Sequence, residues 1–147
     1  MTISVEPLPG VGAEIFGVDL SRAVTDAEFA VMREAYSEHG VIFFRDQAIN
    51  EEQHVAFARR WAPININRFL SAHPKLPEIA VLSKEPDQTE NIGGAWHTDQ
   101  SYDVIPAMGS ILVARELPPV GGNTLFASMY AAYEALPEAM KQRLSTL

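Results

Sequence analysis

The apolar residues fall in short bursts between glycines and prolines, and no run approaches the roughly 18 residues that would span a membrane. Cysteine is absent, which removes disulfides, thiolate metal sites and cysteine nucleophiles together. The fold must therefore rest on buried apolar faces, and any metal must rely on His, Asp, Glu or other oxygen donors. A length of 147 residues suits one domain or part of a larger one. Hydrophobic residues make up 47% and charged residues 20%, which argues against wholesale disorder. The 11 Lys and Arg against 19 Asp and Glu leave a net charge of −8, the wrong sign for gripping a nucleic-acid backbone. The N-terminus, MTISVEPLPG, carries neither a basic segment nor an apolar stretch of the secretory type. The expectation is a cytoplasmic protein that handles a small molecule, without nucleic-acid or membrane partners. Self-association into a homo-oligomer stays open.

Thr2–Val5 alternates polar and apolar, and Ala13–Phe16 is strand-like between Gly12 and Gly17. Thr25 and Glu28 have the spacing of a capping box, and Phe29, Met32, Ala35 and Tyr36 follow at helical intervals. Gly40 predicts the end of that helix near His39. Val41–Phe44 reads as a buried strand. Asn50 predicts the start of a second helix, running to Arg60, with Val55, Phe57 and Ala58 on its apolar side. Ile79–Leu82, Gly109–Glu116 and Asn123–Ala127 are further strand candidates, the last two flanking a Pro-Pro-Val-Gly-Gly turn. Ser128 predicts a helix over Met129–Ala135, and Pro137 suits the first turn of a last helix. Helices are thus expected to dominate the first half, with strands entering after residue 79. The pattern is α+β, with helices covering a sheet.

Four histidines are present. His39 fits a surface cap at a helix C-terminus. His54 falls on the polar side of the second helix, where solvent is the expected neighbour. His73 precedes a proline and suits a loop. His97 differs because Asp99 follows it two positions later. On a strand such residues share a side, so an imidazole and a carboxylate could meet one ion while Thr98 points away. That donor pair suits Fe(II), Mn(II), Co(II) or Zn(II). A surface strand that merely carries both residues explains the spacing equally well. Gly93 and Gly94 let the backbone bend close, and Trp96 could shield a site. Downstream, Thr124 follows Gly121-Gly122. Its hydroxyl could donate to a carboxylate, or the segment could be a plain hairpin with a strand-favouring threonine.

Several stretches then agree. Trp96-His97-Thr98-Asp99, followed 25 residues after Asp99 by Thr124 within GGNTLF, resembles the taurine/2,4-D dioxygenase family of Fe(II)- and 2-oxoglutarate-dependent oxygenases. GAEIFGVDLSR resembles that family's N-terminal strand and turn, and GVIFFRDQAI its strand after the first helix. ARELPPVGGNTLFASMYAAYEALPE resembles its ELP–GG–TLF–AYEALP segment. The resemblance covers nearly the whole chain, in order. It implies a double-stranded β-helix, a jelly-roll fold with covering helices that is incomplete in these 147 residues. It implies that His97 and Asp99 are two of three ligands in a two-His-one-carboxylate triad, with positions open for cosubstrate and O2. Thr124 would bind a carboxylate of 2-oxoglutarate. Gln100 and Tyr102 would line the substrate pocket. The implied reaction hydroxylates a C–H bond of a small organic substrate and releases succinate and CO2.

The sequence also departs from the family. The second His ligand and the Arg that pairs with the distal carboxylate of 2-oxoglutarate lie far downstream in such enzymes. None of His39, His54 or His73 sits at the matching position. The expectation is therefore the N-terminal portion of a single dioxygenase domain, residues 1–147, inactive by itself. A degenerate relative or fragment acting as an interaction protein is the alternative. A hydrolase or isomerase using the same metal pair would leave Thr124 and its flanks unexplained. Without the second half, unpaired strand edges and apolar faces would make the isolated chain unstable or prone to associate. Asn67 replaces the His that binds sulfonate in taurine oxygenases, and Leu70 stands where they place a Tyr. Taurine is thus not the expected substrate, while Arg68 could attract an anion.

Overall fold

The computed structural model describes residues 2–90 and 92–147. The chain divides into two compact units. One comprises Met1–Gln47 with Pro118–Leu147, and the other Ala48–Leu117.

The first unit is built on a three-stranded sheet. Strands β1 (Ser4–Pro7) and β2 (Ala13–Phe16) form an antiparallel hairpin, with Ser4 opposite Phe16 and Pro7 opposite Ala13. Helix α1 (Asp26–His39) then returns the chain to β3 (Ile42–Phe43), which runs parallel to β2. A parallel neighbour requires such a crossover, and a helix supplies it. The capping box at Thr25 is formed. Thr25 Oγ1 accepts from the Glu28 amide at 3.2 Å, and Glu28 Oε2 accepts from the Thr25 amide at 2.8 Å. These hydrogen bonds hold the Glu28 carboxyl below its ordinary range. At the other end Gly40 takes a left-handed conformation with φ 73°, which turns the chain into β3. Helix α1 packs on β2 and β3, and the core of this unit is Ala13, Ile15, Leu20, Phe29, Met32 and Ala35. Gln47 ties the loop after β2 to the segment after β3. Its side chain accepts from the Leu20 amide at 2.8 Å and donates to the Val18 carbonyl at 3.1 Å.

Later in the same unit come two short helices, α3 (Met129–Glu134) and α4 (Glu138–Leu144). Ser128 caps α3, accepting from the Ala131 amide at 3.2 Å. Pro137 occupies the N-cap of α4, one position before the first turn expected for it.

The second unit begins with α2 (Glu51–Trp61), whose first turn is closed by reciprocal hydrogen bonds between Asn50 and Gln53 at 2.8 Å. Val55 and Phe57 are buried, as is Ile49 just before the helix. Phe57 meets Trp61 edge-on, with ring centroids 6.0 Å apart. A small antiparallel pair follows, of strands β4 (Ser71–Ala72) and β5 (Ala80–Val81).

The α+β class and the helix-on-sheet layer hold in the first unit, whose strands lie at or beside the early segments expected for them, but the later part of the chain corrects the expectation. The three-stranded sheet lies at the start of the chain. Among the described residues, neither Gly109–Glu116 nor Asn123–Ala127 forms a strand. A strand exists only as a pairing, and neither segment has a ladder partner here. From Tyr102 onward many apolar side chains are exposed, among them Val104, Ile105, Leu117, Val120 and Tyr130. Among the described residues, no helix is long and apolar enough to cross a membrane.

Candidate metal centre

The residues around His97 lie in an irregular stretch of the second unit, and not on the expected strand. The imidazole and the carboxylate still meet. His97 Nε2 stands 3.3 Å from Asp99 Oδ1. His97 Nδ1 lies 2.8 Å from the Ala95 carbonyl oxygen, which can only accept, so Nδ1 is the donor in that contact. Asp99 Oδ2 accepts a hydrogen bond from Ser110 Oγ at 2.6 Å. Each ligand candidate thus has one polar atom engaged by the protein and one turned toward the other. Thr98 is directed elsewhere, its hydroxyl 2.6 Å from that of Ser101.

Gly93 makes the ring position possible. It is left-handed, with φ 71°, and a Cβ there would lie 3.2 Å from His97 Cε1. An open hollow of about 610 Å³ is lined by Glu90, Gly93, Gly94, Ala95 and His97. The His97 and Asp99 side chains are 56% and 61% exposed, so the pair faces open space that a ligand could enter. Trp96 is 71% exposed and does not shield the pair, contrary to the expectation drawn from its position.

The donor set fits a divalent ion. Two donors at right angles, each about 2.1 Å from a metal, stand about 3.0 Å apart, close to the separation seen here. Two donors leave most of a coordination sphere open. Among the described residues no group of three His, Cys, Asp or Glu side chains could hold a metal ion.

The other candidate residues occupy varied settings. Asn67 Oδ1 accepts from the backbone amides of Phe69 at 2.8 Å and Leu70 at 3.0 Å, bending the chain locally. Arg68 is not an isolated surface charge. Its Nη2 lies 2.8 Å from Asp103 Oδ1, and Asn65 Nδ2 donates to Asp103 Oδ2 at 3.3 Å. These contacts tie the Asn65–Arg68 segment to the turn after Asp99. Gln100 forms that turn with φ 47°, accepting from the Asp103 amide at 3.1 Å. Tyr102 is 68% exposed. Thr124 belongs to the first unit, on irregular exposed backbone after Gly121 and Gly122, both left-handed.

The remaining histidines divide. His73 serves its turn, accepting from the Lys75 amide through Nδ1 at 3.4 Å. His39 is half-buried, 4.0 Å from Glu38, with its carbonyl bonded to the Gly12 amide. His54 departs from the solvated position expected of it. It is half-buried, and desolvation lowers its pKa, partly opposed by a backbone hydrogen bond with Ile111. The nearby Arg115 cation lowers it further, while Glu51 opposes. Sequence reasoning missed Ser110 and Arg115, neither of which sits in a motif that suggests a role.

An imidazole and a carboxylate 3.3 Å apart could share one ion. The sequence matches the family described as taurine catabolism dioxygenase TauD, TfdA family, over residues 4–147. The chain belongs to that family. It is 36% identical over 140 residues to the (S)-phenoxypropionate/alpha-ketoglutarate-dioxygenase of Sphingobium herbicidovorans, covering 92% of this chain and 48% of that protein. A crystal structure from Burkholderia xenovorans, assigned to the alpha-ketoglutarate-dependent taurine dioxygenases, superposes with a TM-score of 0.85 at 34% identity. The match covers 97% of this chain and 52% of that one. The structure of AAD-2 in complex with Mn(II) and N-oxalylglycine matches with a TM-score of 0.67 at 30% identity, over 97% and 49% of the two chains. The chain spans about half the length of the curated relatives it matches.

Proposed function

We propose that residues 1–147 are the N-terminal portion of a single dioxygenase domain, a double-stranded β-helix in its complete form, that acts in the cytoplasm on a small organic substrate. The observation that carries this reading is the 3.3 Å approach of His97 Nε2 to Asp99 Oδ1, with the second polar atom of each side chain already engaged. His97 and Asp99 would hold Fe(II), and Thr124 would donate to a carboxylate of 2-oxoglutarate. With O2, that iron and cosubstrate supply the oxidation: 2-oxoglutarate becomes succinate and CO2, and a substrate C–H bond is hydroxylated. N-oxalylglycine, present with Mn(II) in the AAD-2 structure, is an isostere of 2-oxoglutarate, which supports this cosubstrate.

The chain's own residues bind and orient. The Ala95 carbonyl fixes the His97 tautomer. Asn67, Gln100 and Tyr102 would contact the substrate, with Asn67 using its amide N–H groups because its oxygen is engaged by the backbone. Arg68 is paired with Asp103, which would compete with an anionic substrate for it. Asn67 in place of a sulfonate-binding His continues to argue against taurine. The exposed apolar side chains after Tyr102 would be covered by the remainder of the domain; a homo-oligomer stays open.

The test is succinate formation from 2-oxoglutarate by the complete gene product, which should require both Fe(II) and O2. Absence of turnover with any small organic substrate, together with stable capture of a protein partner, would favour the interaction-protein reading. Two finer expectations follow. Thr124→Val should raise the KM for 2-oxoglutarate roughly tenfold or more, since a hydrogen bond to a charged group contributes about 1.5–3 kcal/mol. An unchanged KM would remove Thr124 from the cosubstrate site. Gly93→Ala should weaken metal binding about tenfold. A non-glycine residue in the left-handed region costs about 1–2 kcal/mol, and the new methyl would press on the ring of His97. Metal titration reads the change.

A further inference from the structure

The segment Ser110–Arg115 is pinned to the start of α2 by two side chains of opposite origin. Arg115 Nη1 donates to the Ile49 carbonyl, and its Nη2 lies 3.4 Å from Glu51 Oε1. From the helix side, His54 makes a backbone hydrogen bond with Ile111. Ile49 is buried, so Arg115 grips a fixed point of the unit. The segment held in this way delivers one polar side chain to the metal pair. Ser110 Oγ lies 2.6 Å from Asp99 Oδ2, eleven residues away along the chain.

An exposed aspartate rotates freely unless something holds it, and a free carboxylate can swing both oxygens onto one metal. Ser110 engages Oδ2 and leaves Oδ1 directed at His97 Nε2. We infer that Ser110 is a positioning residue that fixes Asp99 as a one-oxygen ligand, using the Arg115-anchored segment as its support. This rests on the proposed metal role of His97 and Asp99. Its physical basis is general: hydrogen bonds to a ligating carboxylate orient it and tune its donor strength. A loop staple with no influence on the metal would show the same 2.6 Å contact, so the test must read the metal itself.

Co(II) is titrated into the metal-free complete gene product and followed by its visible absorption, which responds to coordination number. Ser110→Ala should weaken Co(II) binding about tenfold or more, within the range usual for lost outer-shell partners. The spectrum should change as Asp99 becomes free to bind through both oxygens. Ser110→Thr and Ser110→Val have nearly equal bulk and differ in the hydroxyl. Thr should restore affinity to within about threefold of the parent and Val should not. Equal affinity and equal spectra for the Thr and Val variants would overturn the inference, whatever either substitution does to stability. If the parent binds Co(II) and Ser110→Ala matches it, the positioning role falls while the metal site stands. If the parent binds no Co(II), the metal site falls and the positioning role falls with it.

Discussion

His97→Ala and Asp99→Ala should each reduce Fe(II)-dependent succinate formation to background in the complete gene product. Each substitution removes one of the two donors that approach to 3.3 Å. Water can replace a lost donor in the coordination sphere, but it is not held in place by the protein. It cannot reproduce the orientation that the Ala95 carbonyl gives His97 or that Ser110 gives Asp99. Loss of Asp99 also removes the negative charge that offsets the ion. Both side chains are more than half exposed, so neither substitution should disturb a core. Bound iron should fall in parallel with activity, while the melting temperature of the metal-free protein should stay near that of the parent. Retention of full activity by either variant would remove that residue from the site.

The second large effect is on stability. Met32→Ala should destabilise the fold by about 2–5 kcal/mol, the range for deleting a large buried apolar side chain. Met32 is fully buried on α1, in the unit whose core also contains Ala13, Ile15 and Phe29. Truncation leaves a void where α1 packs on β2 and β3. Met32→Leu nearly conserves volume and should cost less than about 1.5 kcal/mol. Urea unfolding of the two variants beside the parent provides the comparison. Equal midpoints for Met32→Ala and Met32→Leu would show that the α1–sheet contact does not limit stability.

Legibility tracked the range of the interaction. Thr25, Asn50 and Ser128 were readable as helix starts because a cap and its amide partner lie within three residues. Gly40 was readable as a stop for the same reason, since a left-handed turn is a property of one residue. The segments Gly109–Glu116 and Asn123–Ala127 have the apolar, β-favouring composition of strands, yet composition does not supply a partner strand. His54 was read as solvated, yet it stands three residues before Phe57 and four before Ala58, the spacing of one helix face, and the Ile111 region of a later segment lies near it. Arg68 looked unpaired because Asp103 lies 35 residues ahead.

The candidate site followed the same rule. His97 and Asp99 could be named from a two-residue spacing, although they meet on irregular backbone and not on a strand. Ser110 could not be named, because its tie to Asp99 spans eleven residues of irregular backbone. Asn67 was assigned to the substrate side from its place in the family pattern. Its engagement with the amides of Phe69 and Leu70 is a local turn bond that the sequence could have suggested, since asparagine commonly bonds the backbone two or three residues ahead.

A crystal structure of the complete gene product grown with Mn(II) and 2-oxoglutarate tests most directly whether His97 and Asp99 hold the metal. The predicted result is an anomalous peak about 2.0–2.2 Å from both His97 Nε2 and Asp99 Oδ1, with Ser110 still bonded to Asp99 Oδ2. A metal bound elsewhere, with His97 and Asp99 left facing solvent, would contradict it.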